Sequence, residues 1–360
     1  MSKKISLYIH IIPAFLILLS GISCTREEQV DNGVILTLSS GLPQTRGTAE
    51  IQDGMEIYFD GSTPDLVLWM FDSNGHLVAK YPGSEYSEVL STPAPTAVDL
   101  QIRISRRLDD GKKFSAGTYS LYVMANTGGF WHLSGDPVIG NITEKADADA
   151  LFFDERPTSL IADRMPLTAI GTVDVNDSGN GVAEVNLLRP VGKVVVRFVN
   201  NYGKTLTLSP FSLTLRNMSA SNGYLFPHAT KDIPDGVSYE DLIKTVSSSE
   251  SLTLPDYRAQ GEVYESEFLI YPGEAANLSA GDFTSDLSFS ITKVGGNELA
   301  TPQDFTFSKL SILNKRGEDI TSIARNQQLT ITVNISQGKM LSFSFEVGGW
   351  GRNTELVTFD

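Results

Sequence analysis

From about position 30 onward, apolar and polar residues alternate far more often than they follow a helical period. Leu329, Ile331, Val333 and Ile335 alternate with Thr330, Thr332, Asn334 and Ser336, and Leu341, Phe343, Phe345 and Val347 repeat the pattern one segment later. A period of two puts one set of side chains on one face, so each segment predicts a strand with one buried side. Val34-Ile35-Leu36-Thr37-Leu38 predicts another. The run Leu66-Val67-Leu68-Trp69-Met70-Phe71 is instead continuously apolar, and Asp72-Ser73-Asn74-Gly75 separates it from His76-Leu77-Val78. An Asn-Gly pair between two such runs predicts a hairpin. Further strands are predicted at 119–125, 182–188, 191–199, 211–215, 268–271 and 287–292, nearly all bounded by Gly, Pro, Asn or Asp. Helical candidates are few and short, chiefly 147–153 and 239–245. Many short strands with turn chemistry between them predict an all-β chain of β-sandwich domains.

The densest cluster of turn formers, Asp174-Val175-Asn176-Asp177-Ser178-Gly179-Asn180-Gly181, predicts the boundary between an N-terminal sandwich at 47–176 and a C-terminal one at 177–360. Its carboxylates and amides invite comparison with a calcium loop. The alternating ligands and closing glutamate of an EF-hand are missing, so it reads as a solvated turn, as does Asp72-Ser73-Asn74-Gly75. Residues 1–23 have a different character. Lys3 and Lys4 precede a mostly apolar stretch at 5–19, and Leu19-Ser20-Gly21-Ile22-Ser23 leads with small residues into Cys24. This is the pattern of a secretory signal peptide ending at a lipidated cysteine. Gly21 stands where Leu is more usual. The apolar stretch is short for a membrane span and carries Pro13 in its middle, and no later run is long enough to cross a bilayer. A lipid on Cys24 would anchor the chain to a membrane surface. Cys24 is also the only cysteine, so no intrachain disulfide is expected and the fold must rest on its cores.

The remaining chain, roughly 330 residues, is long enough for two domains of ordinary size. The net charge is -15, from 28 Lys+Arg against 43 Asp+Glu, spread along the sequence. A phosphate backbone would be repelled, which excludes a nucleic-acid partner. His10 falls in the signal segment, and His76, His132 and His228 have no zinc-site spacing. No Gly-x-Ser-x-Gly elbow, phosphate-cradling loop or Cys/His nucleophile is present, and the many carboxylates offer no distinguishable glycosidase pair. No catalytic residue, metal or cofactor is expected. Phe130-Trp131, after Gly128-Gly129, either packs at a sandwich end or presents a flat face to a sugar ring. The second choice would make the chain a surface glycan-binding lipoprotein.

The order of segments adds an identification. Phe114-Ser115-Ala116-Gly117-Thr118-Tyr119, continuing to Val123-Met124-Ala125-Asn126-Thr127-Gly128, resembles a strand of the fimbrillins, the pilus subunits of the Bacteroidales. Leu187-Leu188-Arg189-Pro190-Val191-Gly192-Lys193-Val194 is similar to the strand that opens their second domain. Asn222-Gly223-Tyr224-Leu225-Phe226-Pro227 is similar to a following turn, Ile323-Ala324-Arg325-Asn326 to the entry of a late strand, and Trp350 to a tryptophan near their end. The acidic Thr25-Arg26-Glu27-Glu28 also resembles the signal that sends lipoproteins of this order to the outside of the outer membrane. Gly192, in place of a commoner Ala, and the glycine-rich Gly349-Trp350-Gly351 depart from the family pattern.

The resemblance implies two tandem transthyretin-like β-sandwich domains after a lipoprotein signal peptide, and a fimbrial polymer rather than a catalyst. It implies a propeptide at 24–46 containing the first strand, removed by an arginine-specific protease between Arg46 and Gly47. A strand from another copy, or from a related subunit, would then fill the vacated groove. Candidate donor positions are Leu341, Phe343, Phe345 and Val347, then Leu356 and Phe359. Cell-surface localisation, adhesion to a host or bacterial ligand, and the alternative of an anchor or tip subunit that keeps its first strand belong to the same expectation.

Overall fold

The computed structural model describes residues 33–40, 56–90, 96–126, 141–153, 166–220, 222–228, 233–246, 251–270, 273–274, 284–338 and 340–349. Two β-sandwiches follow one another along the chain. The first is built from β1 (Val34–Ser39), β2 (Leu66–Phe71), β3 (Leu77–Tyr81), β4 (Ser87–Val89), β5 (Asp99–Ile104), β6 (Gly117–Ala125), β7 (Leu167–Val175) and β8 (Gly181–Asn186). They form one eight-stranded sheet in the order β3-β2-β6-β7-β8-β1-β5-β4. Its two halves are joined through β7 and β8 at the single pair Val175–Gly181. The sheet curls on itself, so that Leu68 and Val123 from one half share a core with Leu36, Ile102 and Val185 from the other.

The second sandwich contains β9 (Gly192–Asn201), β10 (Leu206–Ala220), β11 (Tyr239–Val246), β12 (Leu252–Leu254), β13 (Tyr264–Ile270), β14 (Thr284–Val294), β15 (Asn297–Ser311), β16 (Gln327–Ser336) and β17 (Met340–Gly349). One sheet has the order β13-β9-β16-β17, and the other runs β11-β10-β14-β15 with β12 paired to β10. Val196 and Ile331 of the first meet Leu213 and Phe289 of the second. In β16 the alternation holds on the inner face, where Leu329, Ile331, Val333 and Ile335 are buried. Thr330 and Thr332 on the opposite face are nearly as covered, at 6% exposure each.

The Asp72–Gly75 hairpin forms as its sequence predicts. Asp72 Oδ1 accepts from the main chain of Asn74 at 2.9 Å and of His76 at 3.0 Å, and Gly75 takes φ +88. The Asn176 side chain does the same for Ser178 and Asn180, which makes both segments self-satisfied turns. That second turn is a hairpin inside the first sandwich, not the boundary expected at 176–177. β8 lies beyond it in the first sheet, and Leu187 still belongs to the first core. Turn chemistry marks a reversal of the chain but carries no information on which sheet the next strand joins.

The helical candidates fare differently. A helix, α1 (Lys145–Asp149), starts two residues before the expected segment and gives way to a short strand, Phe152–Phe153. Residues 239–245 are strand β11, paired antiparallel to β10 from Phe211↔Val246 to Ala220↔Tyr239. An unpaired neighbouring edge offers an eight-residue segment more hydrogen bonds than an isolated two-turn helix would hold. A third core lies outside both sandwich interiors. Trp69, Phe71 and Tyr122, on the outer faces of β2 and β6, are buried with Ala148 and Phe153 and with Leu225 and Phe226 of the second half.

Candidate functional site

β1 is an interior strand of its sheet. It runs antiparallel to β5, from Val34↔Ile104 to Ser39↔Asp99, and parallel to β8, from Val34↔Gly181 to Ser39↔Asn186. Both edges are therefore paired, with segments some 65 and 147 residues away in sequence. Val34, Leu36 and Leu38 point inward and are fully buried, while Ile35, Thr37 and Ser39 alternate outward. Each inward side chain contributes roughly 1.5–3 kcal/mol of burial. Withdrawing β1 would leave two unpaired sheet edges and open the core onto Leu100, Ile102, Ile104 and Val185, a slot shaped for another alternating strand.

Both ends of the slot are pinned. Gly33 N–H donates to Asn180 Oδ1 at 3.0 Å, and Gly181 N–H donates to the Gly33 carbonyl at 3.1 Å. At the other end Leu187 N–H reaches the Ser39 carbonyl at 2.8 Å, and Ser40 N–H reaches the Val98 carbonyl at 2.7 Å. Gly33 sits at φ +70, where a Cβ would approach Ser105 Cα to 2.8 Å and press on the Ile104 carbonyl oxygen. Gly33 and Asn180 fix the start of β1, and the strand pattern alone did not single them out. A glycine immediately before an alternating run was the available signal. On the solvent face, Thr37, Ser39, Asp99, Gln101 and Glu184, together with Val182 and Ala183, line a shallow depression of mixed polar and apolar character.

The proposed donor positions divide into two groups. Leu341, Phe343, Phe345 and Val347 lie on β17, the outermost strand of its sheet, paired with β16 over ten residues from Gln327↔Gly349 to Ser336↔Met340. Phe345 is buried, at 8% exposure. Leu341, Phe343 and Val347 are partly buried at the margin of the second core, and the Phe343 ring meets Phe307 edge-on at 5.4 Å. Leu356 and Phe359 lie outside the described residues, as do Cys24, Arg46, Gly47, Phe130, Trp131, His132 and Trp350. The two histidines among the described residues have structural neighbours: His76 stands 3.7 Å from Asp72 and 3.9 Å from Glu144, and His228 stacks on Tyr224 at 4.5 Å. Among the described residues no group of three His, Cys, Asp or Glu side chains is placed to hold a metal, and no helix is long and apolar enough to cross a membrane.

A family model described as fimbrillin-A associated anchor proteins Mfa1 and Mfa2 matches residues 29–355. The fold is similar to a candidate cell adhesion protein from Parabacteroides distasonis ATCC 8503, with TM-score 0.55 and 11% identity, over 90% of this chain and 99% of that one. It is also similar to one from Bacteroides eggerthii DSM 20697, with TM-score 0.50 and 14% identity, over 89% of this chain and 96% of that one. No curated protein matches the chain.

Proposed function

Because this chain belongs to the family of fimbrillin-A associated anchor proteins Mfa1 and Mfa2, a fimbrial family of the cell surface and not one of enzymes, we propose that it is a fimbrial subunit assembled by exchange of β1. In this reading the chain is exported as a lipoprotein through Cys24, cut between Arg46 and Gly47, and joined to its neighbour by a strand that enters the slot between β5 and β8. The observation that carries it is the placement of β1, an interior strand with both edges paired and three fully buried side chains. Its loss creates a site that only another strand fills. A contact of this kind is head-to-tail and does not close, so it gives a filament. The assembled fimbria would support adhesion to a host or bacterial surface.

For the donor we favour the last residues over β17. Removing β17 would strip Phe345 from the second core and expose the edge of β16. Leu356-Val357-Thr358-Phe359, by contrast, follows the same pattern as Ile35-Leu36-Thr37-Leu38, with Val357 and Phe359 at the positions of Leu36 and Leu38. We divide the two domains within 189–191, after β8 has completed the first sheet. A second reading is favoured by the family itself, one of fimbrillin-A associated anchor proteins: an anchor would keep β1 and its lipid.

Arg46→Ala tests the first reading. The variant is expected to be a folded, exported monomer that forms no SDS-resistant ladder, and an unchanged ladder would rule out cleavage at that site as the trigger. The N-terminal residue of the surface protein, read by mass spectrometry, separates the readings: Gly47 marks an exchanged subunit and Cys24 an anchor.

A further inference from the structure

Three of the sequence motifs have no part in the exchange of β1, yet the fold brings them to one place. Arg325 extends its guanidinium to the turn at 224–226, where Nη1 donates to the Leu225 carbonyl at 2.9 Å and Nη2 to those of Tyr224 at 2.7 Å and Phe226 at 2.9 Å. Asn326, at φ +56, donates its main-chain N–H to the Val191 carbonyl at 3.0 Å. Its side-chain oxygen accepts from Arg189 Nη1 at 2.8 Å in a buried contact.

The turn held in this way is the part of the second half that enters the third core. The Phe226 ring meets Tyr122 edge-on at 4.9 Å and Trp69 at 6.3 Å. Gly223 and Tyr224 pair with Phe153 and Phe152, and Leu225 N–H donates to the Leu151 carbonyl at 3.0 Å. The connection between the sandwiches is equally enclosed. Arg189, at 1% exposure, and Val191, at 0%, are buried, although linkers between domains are ordinarily exposed and polar.

We propose that Arg325, with Asn326 and Arg189, locks a joint between the two sandwiches, so that they unfold and carry tension as one body. The turn at 224–226 meets the first sandwich through a two-residue strand pair, the Leu225 N–H bond and the Phe226 ring, and its own carbonyls need donors once they leave water. A guanidinium supplies several N–H groups from one planar fork, whereas a lysine ammonium reaches fewer carbonyls in fixed geometry. The motif at 323–326 therefore acts on a turn some hundred residues away, and through it on β2 and β6 of the other half. This joint does not depend on how β1 is replaced, so each proposal stands or falls by its own test.

Calorimetry and amide hydrogen exchange on the folded chain test it. The wild-type chain should melt in one transition with equal calorimetric and van't Hoff enthalpies. In Arg325→Met, exchange at 223–226 and 151–153 should rise by about tenfold or more while β14 and β16 keep their rates, and the melting transition should split. Arg325→Lys should fall between the two. Two independent transitions in the wild-type chain, or unchanged exchange at 223–226 in Arg325→Met, would overturn the proposal.

Discussion

Tyr122 stands at the joint between the sandwiches, with its hydroxyl donating to the Asp149 carboxylate and the Lys145 ammonium 5.6 Å from its ring centre. Burial first, and that hydrogen bond second, push its pKa up to about 12. An unfolded tyrosine ionises near 10, so from about pH 10 to 12 the unfolded chain releases a proton that the folded chain keeps. Stability from this group is whole below pH 10 and falls as the pH rises towards 12. Tyr81 and Tyr119 are also raised by burial and share the alkaline loss. Denaturant titrations across this range should show Tyr122→Phe losing about 1–2 kcal/mol less than the wild-type chain. Equal losses would mean that Tyr122 does not titrate as described. At the same scale, two motif asparagines owe their identity to backbone shape. Asn126 at φ +60 and Asn326 at φ +56 occupy the left-handed region, which asparagine tolerates better than most residues.

Among the elements, β1 was fully legible as a strand, since Val34, Leu36 and Leu38 alternate with Ile35, Thr37 and Ser39. Its place between β5 and β8 was not, because a period of two specifies which side chains face inward and not which strands lie alongside. Gly33 ties the two levels together. Its positive φ turns the chain into β1, and the absence of a Cβ lets the main chain of Ile104 and Ser105 come close. Those neighbours are backbone atoms that cannot swing aside. Gly33→Ala is therefore expected to lower the stability of the uncut chain by roughly 2–4 kcal/mol. Amide exchange in β5 and β8 should quicken while β9 and β16 keep their rates. A denaturation midpoint unchanged from wild type would show that the turn relaxes freely. β11 teaches the converse lesson, since a short segment that reads as helix becomes a strand when the edge of β10 is there to pair with it.

For the whole molecule, a net charge of -15 makes copies of this chain repel one another, and the proposed strand exchange would have to overcome that repulsion. Screening shortens that repulsion, from a Debye length of about 30 Å at 0.01 M salt to about 8 Å at 0.15 M. Light scattering of the cut chain should therefore show association that quickens with added salt, and association slowed by salt would point to oppositely charged docking faces instead. Two sandwiches, the hairpin at Asp72–Gly75 and the strand that fills the slot were written in the local order of apolar, polar and turn-forming residues, because strand period and turn chemistry act over a few positions. The passage from first sandwich to second, the burial of Arg189, and the meeting of Arg325 with the turn at 224–226 were decided only by the tertiary structure. Each depends on which distant surfaces bury one another, and that choice is made by the packing of whole sheets, over separations that no local pattern spans.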